Sequence, residues 1–261
     1  MPIRTSYAEG TPSWIDLTTS DPAAALAFYG ELFGWTFDAS PTADGNEYVM
    51  ASLNGHTAAG MMQQRADLAE MDVPSMWNTY ITVDDIAATV AKVESAGGSI
   101  MMPSLEAMDA GHMAVVSDTT GAIICLWQPN QHIGCEIVNE AGALTWNELI
   151  DDDIPAANAF YAEVFGMAAV AQDMGGGVTY NLFMVGDDMV AGALNPPMEG
   201  IPNHWSVYFQ VDDADATAER AAFLGGSAMG PATEIPTVGR IVVLQDPTGA
   251  TFVAIQPADQ P

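Results

Sequence analysis

Phe28-Tyr29-Gly30-Glu31-Leu32-Phe33-Gly34-Trp35 returns as Phe160-Tyr161-Ala162-Glu163-Val164-Phe165-Gly166-Met167, an offset of 132 residues (160 − 28). The same offset carries Trp14-Ile15-Asp16-Leu17 onto Trp146-Asn147-Glu148-Leu149. A second pair lies between these copies. Trp77-Asn78-Thr79-Tyr80-Ile81-Thr82-Val83-Asp84-Asp85 returns as Trp205-Ser206-Val207-Tyr208-Phe209-Gln210-Val211-Asp212-Asp213 at an offset of 128 (205 − 77), and Asp118-Thr119-Thr120-Gly121-Ala122 returns as Asp246-Pro247-Thr248-Gly249-Ala250 at that offset too. Self-similarity at a fixed spacing marks repeated structural units. The chain reads as four modules, the first like the third and the second like the fourth.

Local signals recur in one order within each module. A strand with alternating faces comes first; in module 2, Thr79, Ile81 and Val83 share one face and Asn78, Tyr80 and Thr82 the other. An aspartate then stands where a helix should begin: Asp21, Asp85, Asp153 and Asp213. Pro22 follows its cap directly, and Pro155 comes one residue later in its module. Leu26, Tyr29, Leu32 and Phe33 make an apolar stripe stopped by Gly34, while Gly97-Gly98 and Gly225-Gly226 stop the helices of modules 2 and 4. Turn signals at Asn54-Gly55, Gly121 and Gly249 then separate short strands.

The unit is therefore βαβββ, and the fold class is α+β. A single module leaves an apolar sheet face uncovered. Two side by side form a curled, eight-stranded mixed sheet with helices on its convex side and a cavity on its concave side. The expected layout is one domain over residues 8–128 (modules 8–64 and 75–128), a linker over 129–141 and a second domain over 142–258 (modules 142–195 and 203–258). Module 1 sharing a sheet with 2, or with 4, both fit the repeat.

Composition narrows the functional classes. Thirty-four acidic residues against five basic ones give a net charge of −29, so the field repels nucleic acid and other polyanions. No apolar run reaches the length of a membrane helix, and Met1 to Gly10 lacks the apolar core of a secretory signal, so a cytoplasmic location is the default expectation. Cys125 and Cys135 form neither a disulfide framework nor a zinc pattern and read as buried thiols. Monomer and homodimer both fit.

The segment Asp16-Leu17-Thr18-Thr19-Ser20-Asp21-Pro22, followed by Phe28-Tyr29 and Phe33-Gly34-Trp35, resembles the opening of a glyoxalase-like module. Val83-Asp84-Asp85 and Asp246-Pro247-Thr248-Gly249 resemble its counterparts in the paired module. Across nearly the whole chain the pattern resembles the vicinal-oxygen-chelate (VOC) superfamily of glyoxalase, bleomycin-resistance and extradiol-dioxygenase-like proteins, in the four-module arrangement of the actinobacterial type. The resemblance implies two glyoxalase-like domains. It also implies a divalent metal held by histidines and glutamates on the first and last strands of each module. Those positions fall on Trp14, Asn78, Trp146 and Ser206, and on or near Met61, Cys125, Ala193 and Val253. None is a histidine or a carboxylate, so no cofactor is expected at them; a metal held by other residues stays open.

Strand alternation puts Asp16 beside Trp14 and Glu148 beside Trp146 on the concave faces, with Tyr80 and Tyr208 in the equivalent places of modules 2 and 4. Each cup then holds an indole, a phenol and a carboxyl. Aromatic walls favour a flat or apolar small molecule, and a carboxyl among them can anchor a ligand or move a proton. Asn78 and Ser206 are further ligand-contact candidates, and His112 and its repeat partner Arg240 are candidates for the rim. His132 and His204 read as structural. Three functions follow: a metal-free binder of a small aromatic or apolar compound; a lyase, isomerase or epimerase with Glu148 or Asp16 as general base; and a metal-dependent glyoxalase- or dioxygenase-like enzyme. Asn147 stands where the repeat has Ile15, either as a satisfied polar group or as a slip of register.

Overall fold

A computed structural model describes residues 3–42, 45–71 and 73–258. The first half runs β1 (Pro12–Thr19), α1 (Pro22–Phe33), β2 (Thr36–Pro41), β3 (Glu47–Leu53), β4 (His56–Gln63), a short α2 (Ala66–Glu70), β5 (Met76–Thr82), α3 (Ile86–Ser95), β6 (Ser99–Ala107), β7 (Gly111–Ser117) and β8 (Ile123–Pro129). The second half runs β9 (Leu144–Ile150), α4 (Ile154–Phe165), β10 (Ala168–Asp173), β11 (Thr179–Val185), β12 (Asp188–Leu194), β13 (His204–Gln210), α5 (Ala214–Phe223), β14 (Ser227–Ala228), β15 (Thr233–Ile235), β16 (Gly239–Gln245) and β17 (Thr251–Pro257).

The four long helices start where their aspartates stand. Asp21, Asp85, Asp153 and Asp213 each accept a hydrogen bond from the backbone N–H three residues on, at Ala24, Ala88, Ala156 and Ala216. Such a cap satisfies an otherwise orphaned donor and contributes about 1 kcal/mol. Helices α1 and α4 end on Gly34 and Gly166, both left-handed (φ 73° and 70°), a conformation that costs other residues a Cβ clash.

Modules 1 and 2 share one sheet and modules 3 and 4 the other. The strand orders are β2-β3-β4-β1-β5-β8-β7-β6 and β10-β11-β12-β9-β13-β17-β16-β14, with β15 also on β16. Both sheets are mixed: β1 runs parallel to β4 and β5 to β8, while β1 and β5 are antiparallel, and β9, β12, β13 and β17 repeat that plan. The second sheet has nine strands rather than the expected eight. Its outer strand is split into β14 and β15 around Gly230-Pro231, because proline lacks the N–H that a ladder needs.

The two sheets pack against each other through their helix-bearing sides, with β5 stacked on β13, α1 on α5 and α3 on α4. The contacts are reciprocal. Tyr29 of α1 donates its hydroxyl to Asp246 of the opposite half at 3.1 Å and receives the Trp77 indole N–H at 2.9 Å. Tyr161 of α4 donates to Asp118 at 3.0 Å and receives Trp205 at 2.8 Å. Phe28, Phe33, Phe209 and Phe252 fill the space around the first of these. Asn147 also belongs to this seam: its side-chain oxygen accepts from Thr79 of the other half at 2.9 Å, and its strand stays in register opposite Val207. It is a satisfied polar group, and no slip occurs.

Candidate functional site

The faces turned away from the helices carry the chemistry. In the first half the pleat aligns Trp14, Asp16 and Thr18 of β1 with Gly60 of β4, Asn78 and Tyr80 of β5 and Cys125 of β8. In the second it aligns Trp146 and Glu148 of β9 with Gly192 of β12, Ser206 and Tyr208 of β13 and Val253 of β17. Residues directly opposite in an antiparallel pair have Cβ atoms roughly 4.5–5.5 Å apart, so Asp16 meets Asn78 and Glu148 meets Ser206.

Three donors converge on Asp16: the Asn78 amide at 2.8 Å, the Tyr80 hydroxyl at 2.7 Å and the Tyr48 hydroxyl at 3.1 Å. The Trp14 indole donates to Tyr48 in turn, at 3.0 Å. Glu148 repeats the plan in part. Tyr208 donates to it at 2.5 Å, the Tyr180 phenol stands beside it and lowers its pKa, and the Trp146 indole donates to Tyr180 at 2.9 Å. Burial pushes both carboxyls above the usual carboxylate range, against the opposing pull of those hydrogen bonds.

Tyr48 and Tyr180 are members of the cluster that the sequence reading did not pick out. They are separated by the same offset of 132 (180 − 48), which is the signal that would have found them. Each phenol lies over a glycine. A Cβ on Gly60 would overlap the Tyr48 hydroxyl, and one on Gly192 the Tyr180 hydroxyl. These glycines also correct the expected last-strand positions. Met61 and Ala193 stand opposite Leu17 and Leu149 on the helix-bearing face, so the positions of β4 and β12 level with Asp16 and Glu148 carry no side chain.

Two residues expected at the rim lie on the other face. His112 stands opposite Gln128, whose side chain caps the start of α3. Arg240 forms a two-pronged ion pair with Asp215 on α5, at 2.6 and 2.9 Å. The repeat had matched them correctly to each other, but their shared strand parity points both towards the helices.

The cups differ in cover. Trp14, Asp16, Tyr80, Cys125 and Trp127 of the first are all buried. The chain leaving β8 folds back over them: the Trp127 indole donates to the His132 carbonyl at 2.8 Å, and the His132 ring sits edge-on against Trp14 at 4.4 Å. Burial lowers the His132 pKa to about 4. Cys135, further along this segment, donates to the Ala58 carbonyl, and burial pushes its thiol up to about 12; both cysteines are free. In the second cup, Trp127 gives way to Ile255, and the counterpart of His132, position 260, lies outside the described residues. There Trp146, Tyr180 and Ser206 are half-buried, and the flanking Val170 and Val243 are 51% and 42% exposed. His204 borders this cup. Its Nδ1 lies 2.8 Å from the Pro202 carbonyl and its Nε2 3.0 Å from the Ser206 hydroxyl.

The metal that the fold implies does not fit these residues. A divalent ion needs several oxygen or imidazole ligands to offset its lost hydration. Each cup offers one carboxyl, already bonded by phenols, beside a glycine and an asparagine or serine. Among the described residues no three histidine, cysteine, aspartate or glutamate side chains gather anywhere. No helix among them is long and apolar enough to cross a membrane.

Comparison with known proteins gives the same fold and layout. The family model described as Glyoxalase/Bleomycin resistance protein/Dioxygenase superfamily matches twice, over residues 11–126 and 137–253. The Mycobacterium tuberculosis protein named "Putative glyoxylase CFP32" is 48% identical over the full length of both chains. The anthracycline biosynthesis protein DnrV of Streptomyces peucetius is 34% identical, over 97% of this chain and 95% of its own. Among solved structures, the 2,3-dioxygenase LapB from Pseudomonas sp. KL28 superimposes with a TM-score of 0.66 at 14% identity, covering 96% of this chain and 93% of that one. The Mn(II)-bound glyoxalase from Novosphingobium aromaticivorans gives 0.64 at 14% identity, covering 96% and 84%.

Proposed function

We infer that this chain, which belongs to the Glyoxalase/Bleomycin resistance protein/Dioxygenase superfamily, binds a small aromatic or apolar organic molecule in the cup of its second half without the metal usual in that family. One observation carries the reading: the buried Glu148 shares one sheet face with the half-buried Trp146 and Tyr180, the buried Tyr208 and the exposed Val170 and Val243, and belongs to no group of residues that could hold a metal among those described. An indole and phenols supply a flat apolar contact surface, and a single carboxyl supplies orientation. The dense negative charge of the chain suits a neutral or cationic ligand over a polyanionic one. The anthracycline biosynthesis relative is in keeping with an aromatic ligand.

A second reading has its own support. Burial raises the Glu148 pKa while two phenols hold the carboxyl in place, which is how a general base for proton transfer is built. On this reading the protein is a lyase, isomerase or epimerase whose Glu148 takes a proton from the bound molecule.

Trp146 provides the readout. Titration of the protein with aromatic compounds should change its tryptophan emission, and a Trp146→Phe variant should lose that change. Elemental analysis of protein purified without chelator should find less than one equivalent of transition metal; a full equivalent that exchanges only slowly would overturn the metal-free reading. Glu148→Gln decides between binder and enzyme, because binding retained with turnover lost identifies a base.

A further inference from the structure

We propose that the ligand of the second cup is recognised through a hydrogen-bond donor, a hydroxyl or N–H, that fills a vacant third place on Glu148. This rests on the reading that the cup binds an aromatic molecule and names the polar group that molecule must carry.

The first half shows what the complete arrangement looks like. Asp16 takes one hydrogen bond from each of three sides: Tyr48 across β3, Tyr80 along β5, and the Asn78 amide directly opposite on β5. The second half keeps the two phenols, as Tyr180 and Tyr208, and replaces the third donor by Ser206. Serine could still donate, but its hydroxyl is engaged elsewhere. The Pro202 carbonyl only accepts, so His204 carries its proton on Nδ1. In the tautomer with its proton on Nδ1, Nε2 is the acceptor for the Ser206 hydroxyl. The proton of Ser206 points along its own strand to His204 and away from Glu148. Glu148 thus meets the cup with an acceptor place that its repeat partner has filled from within the protein.

On the same sheet face Glu148 is flanked by the half-buried Trp146 and Tyr180 and, across β13 and β17, by the exposed Val243. A carboxyl short of a partner in a desolvated setting favours a ligand that brings a donor over one that does not by about tenfold or more. A flat molecule carrying one hydroxyl satisfies both the apolar walls and the floor. An isosteric molecule without a donor satisfies only the walls and leaves the carboxyl unpartnered.

The test uses 2-naphthol and 2-methoxynaphthalene, two aromatic probes of similar size that differ in one donor, titrated calorimetrically into the full chain. The expected result is binding of 2-naphthol at least tenfold tighter than of 2-methoxynaphthalene. Ser206→Asn should install the missing amide and lower 2-naphthol affinity to that of the methyl ether. Ser206→Asn should unfold in urea at the wild-type midpoint or above, which separates a filled place from a folding artefact; unchanged 2-naphthol preference in a folded Ser206→Asn chain would overturn the donor proposal. Equal affinity of the two probes for the wild-type chain would overturn the donor proposal and leave the aromatic-binding reading standing. Binding of neither probe would overturn both.

Discussion

The two cups share a frame and differ in how it is finished. In the first, three donors and a covering histidine surround the carboxyl beside a buried Trp14; in the second, Tyr208 donates to a carboxyl that is also buried but stands beside a half-buried Trp146. The same polar cluster thus acts as internal architecture in one half and faces an opening in the other. Repetition supplied the frame, and the difference lies in a few substitutions: Asn78 against Ser206, Trp127 against Ile255.

The contrast is most exposed to testing at the carboxyls themselves. Asp16→Ala should cost about 3 kcal/mol in urea unfolding, because it leaves the buried Tyr80 phenol and the half-buried Tyr48 phenol without an acceptor, the Asn78 amide keeping its bond to Thr18. Glu148→Ala should cost about 2 kcal/mol, because it strands the buried Tyr208 phenol while Tyr180 is only half-buried, and should also abolish probe binding. Equal losses of stability would break the contrast. Next come the glycines under the phenols. Gly60→Ala displaces the half-buried Tyr48, which is bonded to the buried Trp14 and Asp16, and should destabilise by about 2 kcal/mol. Gly192→Ala should displace the equally half-buried Tyr180, whose partner Trp146 is not fully buried, for a smaller cost, with loss of ligand binding measured by calorimetry.

Removing the cover sharpens the comparison further. His132→Ala should lower stability by about 1 kcal/mol and red-shift tryptophan emission as water reaches Trp14 and Trp127. Calorimetry should still count one 2-naphthol per chain, because uncovering Asp16 vacates none of its three places. The smallest effect at neutral pH grows on acidification. His132 has its folded pKa lowered from 6.5 to about 4, so the unfolded chain binds more protons between these values. The stability it confers is complete above pH 6.5 and is lost as pH falls towards 4. His132→Gln should flatten that slope relative to wild type in urea titrations at successive pH values.

Much of this organisation was legible in the chain. The offsets of 132 and 128, the four capping aspartates and the glycine stops are local signals, each enforced by backbone chemistry at its own position, and the structure repeats them in place. The carboxyls and their aromatic neighbours followed from strand alternation. What escaped depended on long-range geometry. Tyr48 and Tyr180 belong to strands marked only by turns, so their parity had no anchor. His112 and Arg240 were matched to each other and expected at the rim, since no local signal placed them on a strand or set its parity. Which modules share a sheet depends on contacts between distant segments and is invisible to any local pattern, as is the folding of residues after β8 back over Trp14.

The crossed tyrosines at the seam carry a consequence for how the protein comes to exist at all. Tyr29 finds its acceptor at Asp246, Tyr161 finds its own at Asp118, and Asn147 is satisfied only by Thr79. Neither half therefore owns a complete interior. A ribosome releasing the first half alone would present a greasy, polar-starved flank built around Phe28, Tyr29 and Phe33, and the quickest remedy for such a fragment is a second copy of itself. The full-length chain is in effect a dimer whose partner is covalently guaranteed, freed from dilution and free to let its two once-equivalent bowls diverge.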